Sequence, residues 1–374
     1  MRIETVAVHA GADRDPVTRA VAPPIHLSTN YELGPGSEQI GGYIYARNAN
    51  PTQDRLESAL TALEKGEAAL VFGSGVAAGA AILQALPPGS HVVFPDDVYY
   101  VYRQMAVEYL PRWGMEASIV DMTDRASLAA AMRPNTRLVW AETPSNPLLK
   151  VVDLAAVARI AKDANALCLV DNTFATPILQ RPIESGFDLV LHSTTKYMGG
   201  HGDVQGGALV FARKNELTGQ VRHVRDVQGA VAAPFTSWLV LRGLRSLACR
   251  VERHAANALA VARFLAGHKG VRAVHYPGLP DDPGHAVAAR QMSAFGGMLS
   301  FHVRDGREAA VRATARTKLF VNATSLGGPE SLIEHRASSE GPGSRTPEDL
   351  LRLSVGLESA EDLIEDLDQA LGGK

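Results

Sequence analysis

The sequence is poor in cysteine, in net charge and in long uninterrupted apolar runs. Only two cysteines occur in 374 residues, Cys168 and Cys249, in apolar or helical contexts and without metal-type spacing. That excludes a disulfide framework and a cysteine-based metal centre. Buried free thiols in a reducing compartment are expected, with no metal. The formal net charge of −3 leaves no basic footprint, so nucleic acid is not an expected partner. Met1-Arg-Ile-Glu-Thr-Val lacks the apolar core of a signal peptide. Ala68 to Leu86 approaches the length of a membrane span, but Gly73-Ser74-Gly75 interrupts it and Pro87-Pro88-Gly89 closes it. A strand, a glycine turn and a small-residue helix account for that segment better. A cytoplasmic location without membrane contact is expected.

What is present is ordinary in bulk and specific in detail. The hydrophobic fraction of 46% and charged fraction of 21% suit a globular chain, and the length allows about two or three domains. The first ~50 residues read as irregular, punctuated by proline and glycine, and such an arm is suited to reaching a partner subunit. From Pro51 the pattern changes. A helix is expected from Thr52, with Leu56, Leu60 and Leu63 on one face. Apolar runs then alternate with helical stretches. They are Ala69-Leu-Val-Phe, His91-Val-Val-Phe, Ser118-Ile-Val, Arg137-Leu-Val-Trp, Leu167-Cys-Leu-Val, Asp188-Leu-Val-Leu and Gly207-Ala-Leu-Val-Phe. Such runs predict an α/β domain with a mostly parallel sheet covered on both faces. A long helical region is expected from Ser237 to Gly267, then a smaller α/β unit with a strand in Phe295–Val303 and a last helix at Ser359–Leu371.

Lys196 is the most informative residue. An apolar strand delivers it into a Gly-rich turn, with hydroxyls at Ser193 and Thr195 just before it. A lone lysine after a strand is usually a solvated loop residue. One held on rigid backbone beside phosphate-binding donors fits a Schiff-base lysine of pyridoxal 5'-phosphate (PLP). Other strand ends supply matching parts. Asp171 could cap a helix or hold a protonated ring nitrogen. Phe72-Gly-Ser-Gly-Val-Ala-Ala-Gly could be a tight turn or an anion-binding helix start. Tyr45 and Arg47, two apart in the arm, would point the same way in an extended chain. Tyr99 could stack on a flat ring or simply pack. Glu142, Asn146, Ser325 and Arg352 follow or occupy further strands, and an arginine in the small domain could clamp a carboxylate.

With these residues assembled, the chain resembles the trans-sulfuration (Cys/Met metabolism) family of PLP enzymes. The strings YARNANPT, ETPSNP, VDNTFATP, HSTTKYMGGHGD and RLSVGLE carry the resemblance, in the family's order and over nearly the whole chain. It implies PLP fold-type I, with an N-terminal arm (1–48), a PLP-binding domain (49–247) and a C-terminal small domain (248–374). It implies that Lys196 forms the internal aldimine and shuttles protons, that Asp171 pairs with the pyridine nitrogen and that Tyr99 stacks on the ring. Gly75, Val76, Ser193 and Thr195 would hold the phosphate, completed by Tyr45 and Arg47 from a neighbouring subunit of a homotetramer. Arg352, helped by Asn146 and Ser325, would bind the substrate carboxylate.

The chain also leaves the family pattern. Thr324 and Ile44 stand where relatives acting on cystathionine often carry glutamate. Tyr100-Val101 replaces the usual Gly-Gly after the stacking tyrosine. His335-Arg336-Ala337 replaces His-Pro-Ala, so Arg336 is either a surface residue or faces the substrate channel. The reading is γ-elimination or γ-replacement on a homoserine- or homocysteine-type L-amino acid. Its rivals are a γ-lyase acting on a methionine- or canavanine-type substrate, and a non-catalytic PLP-binding protein.

Overall fold

The computed structural model describes residues 1–342 and 344–372. Seven strands form one sheet: β1 (Ala68–Phe72), β2 (His91–Pro95), β3 (Glu116–Val120), β4 (Thr136–Glu142), β5 (Leu167–Asp171), β6 (Leu189–His192) and β7 (Gly207–Phe211), in the order β1-β7-β6-β5-β4-β2-β3. Strands β3, β2, β4, β5 and β6 pair in parallel, while β7 runs against both of its neighbours. The sheet is covered on both faces, as its apolar runs predict. Val139, Cys168 and Val170 enter one apolar cluster and Leu138, Trp140 and Leu169 the other, following the two-residue period of a strand.

A second sheet, in the order β10-β11-β12-β9-β8, belongs to the later part of the chain. Its strands are β8 (Val271–His275), β9 (Met298–Val303), β10 (Val321–Asn322), β11 (Leu332–His335) and β12 (Leu350–Ser354). It is antiparallel apart from the short β10–β11 pair. The two sheets are stitched where Ser300 Oγ donates to the carbonyl of Pro147 at 2.7 Å, in the loop after β4. The α/β expectation holds.

Four local expectations need correction. The N-terminal region is not wholly irregular, because Ile3–His9 forms a helix with Ala7 buried. The long helical region is two helices, Pro234–Leu244 and Leu247–Gly267. Arg250 Nη2 donates to the Gly243 carbonyl at 2.6 Å, at the junction where the first helix stops. Tyr45 and Arg47 do not sit on an extended strand, since Ala46–Asn48 is a turn. The two side chains still meet, with the guanidinium 5.6 Å from the ring centroid. Cys168 is buried as expected, but Cys249 is exposed, on the solvent side of a helix whose Leu247 and Arg250 face inward.

Candidate active site

The C-terminal ends of β4, β5 and β6 and the turn after β1 open on one cavity of about 320 Å³, which the loops of the smaller sheet close from the other side. This is where open α/β sheets bind ligands. Gly75, Val76, Tyr99, Asn146, Asp171, Ser193, Thr195, Lys196, Ser325 and Arg352 all line it. The single chain does not bring Tyr45 and Arg47 there. Tyr45 is exposed, and Arg47 Nη1 donates to the Asp226 carbonyl at 2.8 Å.

One wall suits a phosphate. Ser74 caps the helix Gly75–Ala85, its side chain accepting from the N–H of Ala77. The first-turn N–H groups lack intrahelical acceptors and carry the positive end of the helix dipole. A Cβ at position 75 would lie 2.9 Å from the Ser193 Cβ, so glycine is what allows the helix start and the Ser193 turn to meet. Tyr102 secures the same corner by donating its hydroxyl to the Gly75 carbonyl at 2.8 Å. Thr195 Oγ1 accepts from the N–H of Gly206 at 3.0 Å, which fixes the turn before the lysine.

The floor carries two carboxylates. Glu142 and Asp171 end adjacent parallel strands in register. Burial raises the pKa of both, and for Glu142 the like charge of Asp171 adds to it. Neither carboxylate forms an ion pair among the described residues, although the positive charge of Lys196 acts on Asp171, and a protonated ring nitrogen against Asp171 would supply a direct partner. Glu142 is satisfied in part by the N–H of Tyr99, which donates to it at 2.8 Å.

Lys196 Nζ reaches across the cavity and donates to Ser325 Oγ at 2.8 Å. Its pKa falls to about 8, first because of burial and then because of the nearby Arg352 cation. Ser325 sits in the left-handed region, with φ 76°. Arg352 is buried on β12. Its Nη1 donates to Asn146 Oδ1 and its Nη2 to the Ser325 carbonyl, both at 3.0 Å, while Nη2 also pairs with Glu334. Burial lowers its pKa to about 10.

Among the lining residues outside the expected site set, Glu334 is the one that forms an ion pair with an expected one, Arg352. Glu334 stands opposite Arg352 in the β11–β12 register and is buried. A lone acid inside the apolar run Leu-Ile-Glu-His is the signal that could have revealed it. Tyr100 and Arg336 also line the cavity. Of the two alternatives for Arg336, the surface one falls, because the residue is 5% exposed. The phosphate-suited wall, the buried lysine and the carboxylate floor together fit PLP.

Comparison with known proteins agrees with this geometry. The Cys/Met metabolism PLP-dependent enzyme family matches residues 4–372. The chain is 49% identical to a cystathionine gamma-synthase of Mycobacterium bovis, over 98% of this chain and 96% of that protein. It is 44% identical to a cystathionine gamma-lyase of Bacillus subtilis, over 99% of each chain. The solved structure of cystathionine gamma synthase from Xanthomonas oryzae pv. oryzae in complex with cystathionine superposes with a TM-score of 0.95 at 43% identity, covering 99% of this chain and 98% of that one. A match over almost every residue, on a site whose parts suit the cofactor, makes this chain a member of the Cys/Met metabolism family of PLP-dependent enzymes.

Proposed function

We propose that the chain uses PLP to replace or eliminate the γ-substituent of a homoserine- or homocysteine-type L-amino acid. The observation that carries this reading is the convergence on one cavity of Lys196, Asp171, the start of the helix Gly75–Ala85 and Arg352. The gamma-synthase and gamma-lyase names among the relatives support Cγ as the reacting centre, while cystathionine beta-lyases of 44–45% identity stand beside them. They lend no support to a methionine- or canavanine-type γ-lyase or to a non-catalytic role.

When bound, PLP supplies an electron sink conjugated to the substrate's Cα. The protein's own residues do the rest. The N–H groups of Gly75 and Val76 and the hydroxyls of Ser193 and Thr195 hold the phosphate. Asp171 keeps the ring nitrogen protonated, and Tyr99 packs on the ring face. Lys196 takes and returns the proton at Cα, which requires a neutral amine. A pKa near 8 makes that form accessible near neutral pH. Ser325 orients the lysine through the hydrogen bond that its Oγ accepts. Arg352 and Asn146 orient the substrate's α-carboxylate.

Tyr45 and Arg47 complete the phosphate site from a neighbouring subunit, in a homotetramer built as a dimer of dimers. The exposed apolar side chains of the arm, Val17, Leu27, Ile40 and Ile44 among them, support this arrangement. The working division is an arm (1–48), a PLP-binding domain (49–247) and a small domain (248–374), in a cytoplasmic enzyme. Among the described residues no helix is long and apolar enough to cross a membrane.

The test is a visible spectrum of the purified protein before and after adding γ-substituted L-amino acids, with 2-oxo acid release followed in parallel. A substrate-dependent spectral shift with 2-oxo acid release supports elimination. The same shift with release of the γ-substituent only when a thiol is added supports replacement. A colourless protein that PLP cannot reconstitute removes the reading.

A further inference from the structure

Several segments of the chain meet at one buried cation that the chemistry above leaves unused. Arg225, on the helix Glu216–Gln228, is 1% exposed. Its Nη1 donates to Glu57 Oε1 at 2.9 Å and to the Val71 carbonyl at 3.4 Å. Its Nε donates to Asp226 Oδ1 at 3.0 Å, and its Nη2 donates to the Asn48 carbonyl at 3.4 Å. Glu57 Oε1 also accepts from the N–H of Val71 at 3.1 Å. The helix Pro51–Glu64, strand β1, the end of the arm and Arg225's own helix are thereby tied at one point. A guanidinium is stable in such surroundings only when its donors are used.

The tie runs on into the turn that carries Tyr45 and Arg47. Asp226 accepts from Arg225 with its carboxylate and from Arg47 Nη1 with its backbone carbonyl, the latter at 2.8 Å. Asn48, held by Arg225 through its carbonyl, donates its own N–H to the Tyr45 carbonyl at 3.0 Å. The backbone of the turn is therefore fastened from beneath, while the side chains of Tyr45 and Arg47 stay exposed. Among the described residues the Asp226 carbonyl is the one acceptor that Arg47 uses, which leaves most of its five N–H donors for an anion.

We infer that Arg225 is a positioning residue, which fixes the Tyr45–Asn48 turn so that Arg47 meets a phosphate bound on a neighbouring subunit. This rests on the shared-site reading above and deepens it, since Arg225 then acts on a pocket to which its own chain contributes only the arm. The alternative role is confined to one chain: Arg225 would brace β1, and through it the helix Gly75–Ala85 of its own phosphate wall.

Mixed oligomers separate the two roles. Borohydride reduction fixes bound PLP on Lys196, and mass spectrometry counts it chain by chain, without turnover. In R225K homo-oligomers the PLP concentration for half-maximal trapping is expected to rise about 10-fold, as for loss of a hydrogen bond to a charged group. E57M/R225M removes both charges of the pair, so no odd charge is left buried. It is expected to fold and to raise that concentration further. R225K chains are then co-expressed with an excess of K196A chains. Trapping on the R225K chain now reports pockets whose arm comes from a K196A chain with an intact Arg225, and half-saturation is expected to return to the wild-type value. A value that stays raised in the mixture, or one that is unaltered in both homo-oligomeric variants, overturns the inference. R47A chains in the same mixture give the control. Recovery for R47A without recovery for R225K leaves the shared site standing and removes Arg225 from it. No recovery for R47A takes down the shared site and the inference together, and a wild type that traps no PLP takes down the PLP reading itself.

Discussion

Glu142 and Asp171 end neighbouring parallel strands in register, so two carboxylates share the floor of one cavity. The cation acting on Asp171 from across the cavity is Lys196, and no ion pair reaches either carboxylate among the described residues. Asp171→Asn removes the anion proposed to hold the ring-nitrogen proton while leaving the phosphate-suited wall intact. PLP content is expected to be retained and kcat to fall by at least about 100-fold, as for loss of a preorganised charge stabiliser. Cofactor absorbance and single-substrate kinetics on the same sample check this. Full activity in the asparagine variant would remove Asp171 from the mechanism.

Lys196 sets a pH dependence whose sign follows from its environment. Burial and Arg352 lower its pKa to about 8. Below that pH the amine is protonated and cannot attack an aldehyde; above it the amine is free. The rate at which the apoprotein takes up PLP should therefore rise with pH, with a midpoint near 8 and not at the ordinary lysine value of about 10.4. Stopped-flow absorbance across a pH series measures it.

The helix start tolerates no side chain at position 75, where a Cβ would sit 2.9 Å from that of Ser193. Gly75→Ala should push the phosphate wall apart and weaken PLP binding by about 10- to 100-fold, in line with overpacking at a close contact. Titration of the apoprotein with PLP gives the dissociation constant. An unaltered value would mean that the turn at Ser193 yields freely.

Sharing of sites between subunits has a direct test. Lys196→Ala and Arg47→Ala chains should each be inactive alone. Mixed oligomers regain activity, because one composite site then holds an intact lysine from one chain and an intact arginine from the other. Mixing that restores nothing would place Arg47 outside the site.

Much of this molecule was legible in its sequence, for physical reasons. The strands of the large sheet inside the edge strand β3 are largely buried on both faces, so they show as apolar runs. The reversed direction of β7 did not show, because an apolar run carries no sense of direction. The helix Ile3–His9 buries little beyond Ala7 and so offers no periodic signal. The residues at the strand ends could be placed because their roles are local to the turns that carry them. Glu334 did not show, and Arg336 read as either surface or channel, because their partners, Arg352 and Tyr100, come from other parts of the chain and only the fold unites them.

Glu340, Arg336, Glu334 and Arg352 alternate in sign through successive contacts. Removing any one strands an odd charge in buried surroundings, so substitutions among them cannot combine additively. A lineage that remodels this end of the cavity must change two of these positions together or pass through a poorly folded ancestor. The same barrier faces the engineer. Libraries that vary one position at a time will find this wall immovable, while libraries that vary neighbouring pairs open a route to new substrates.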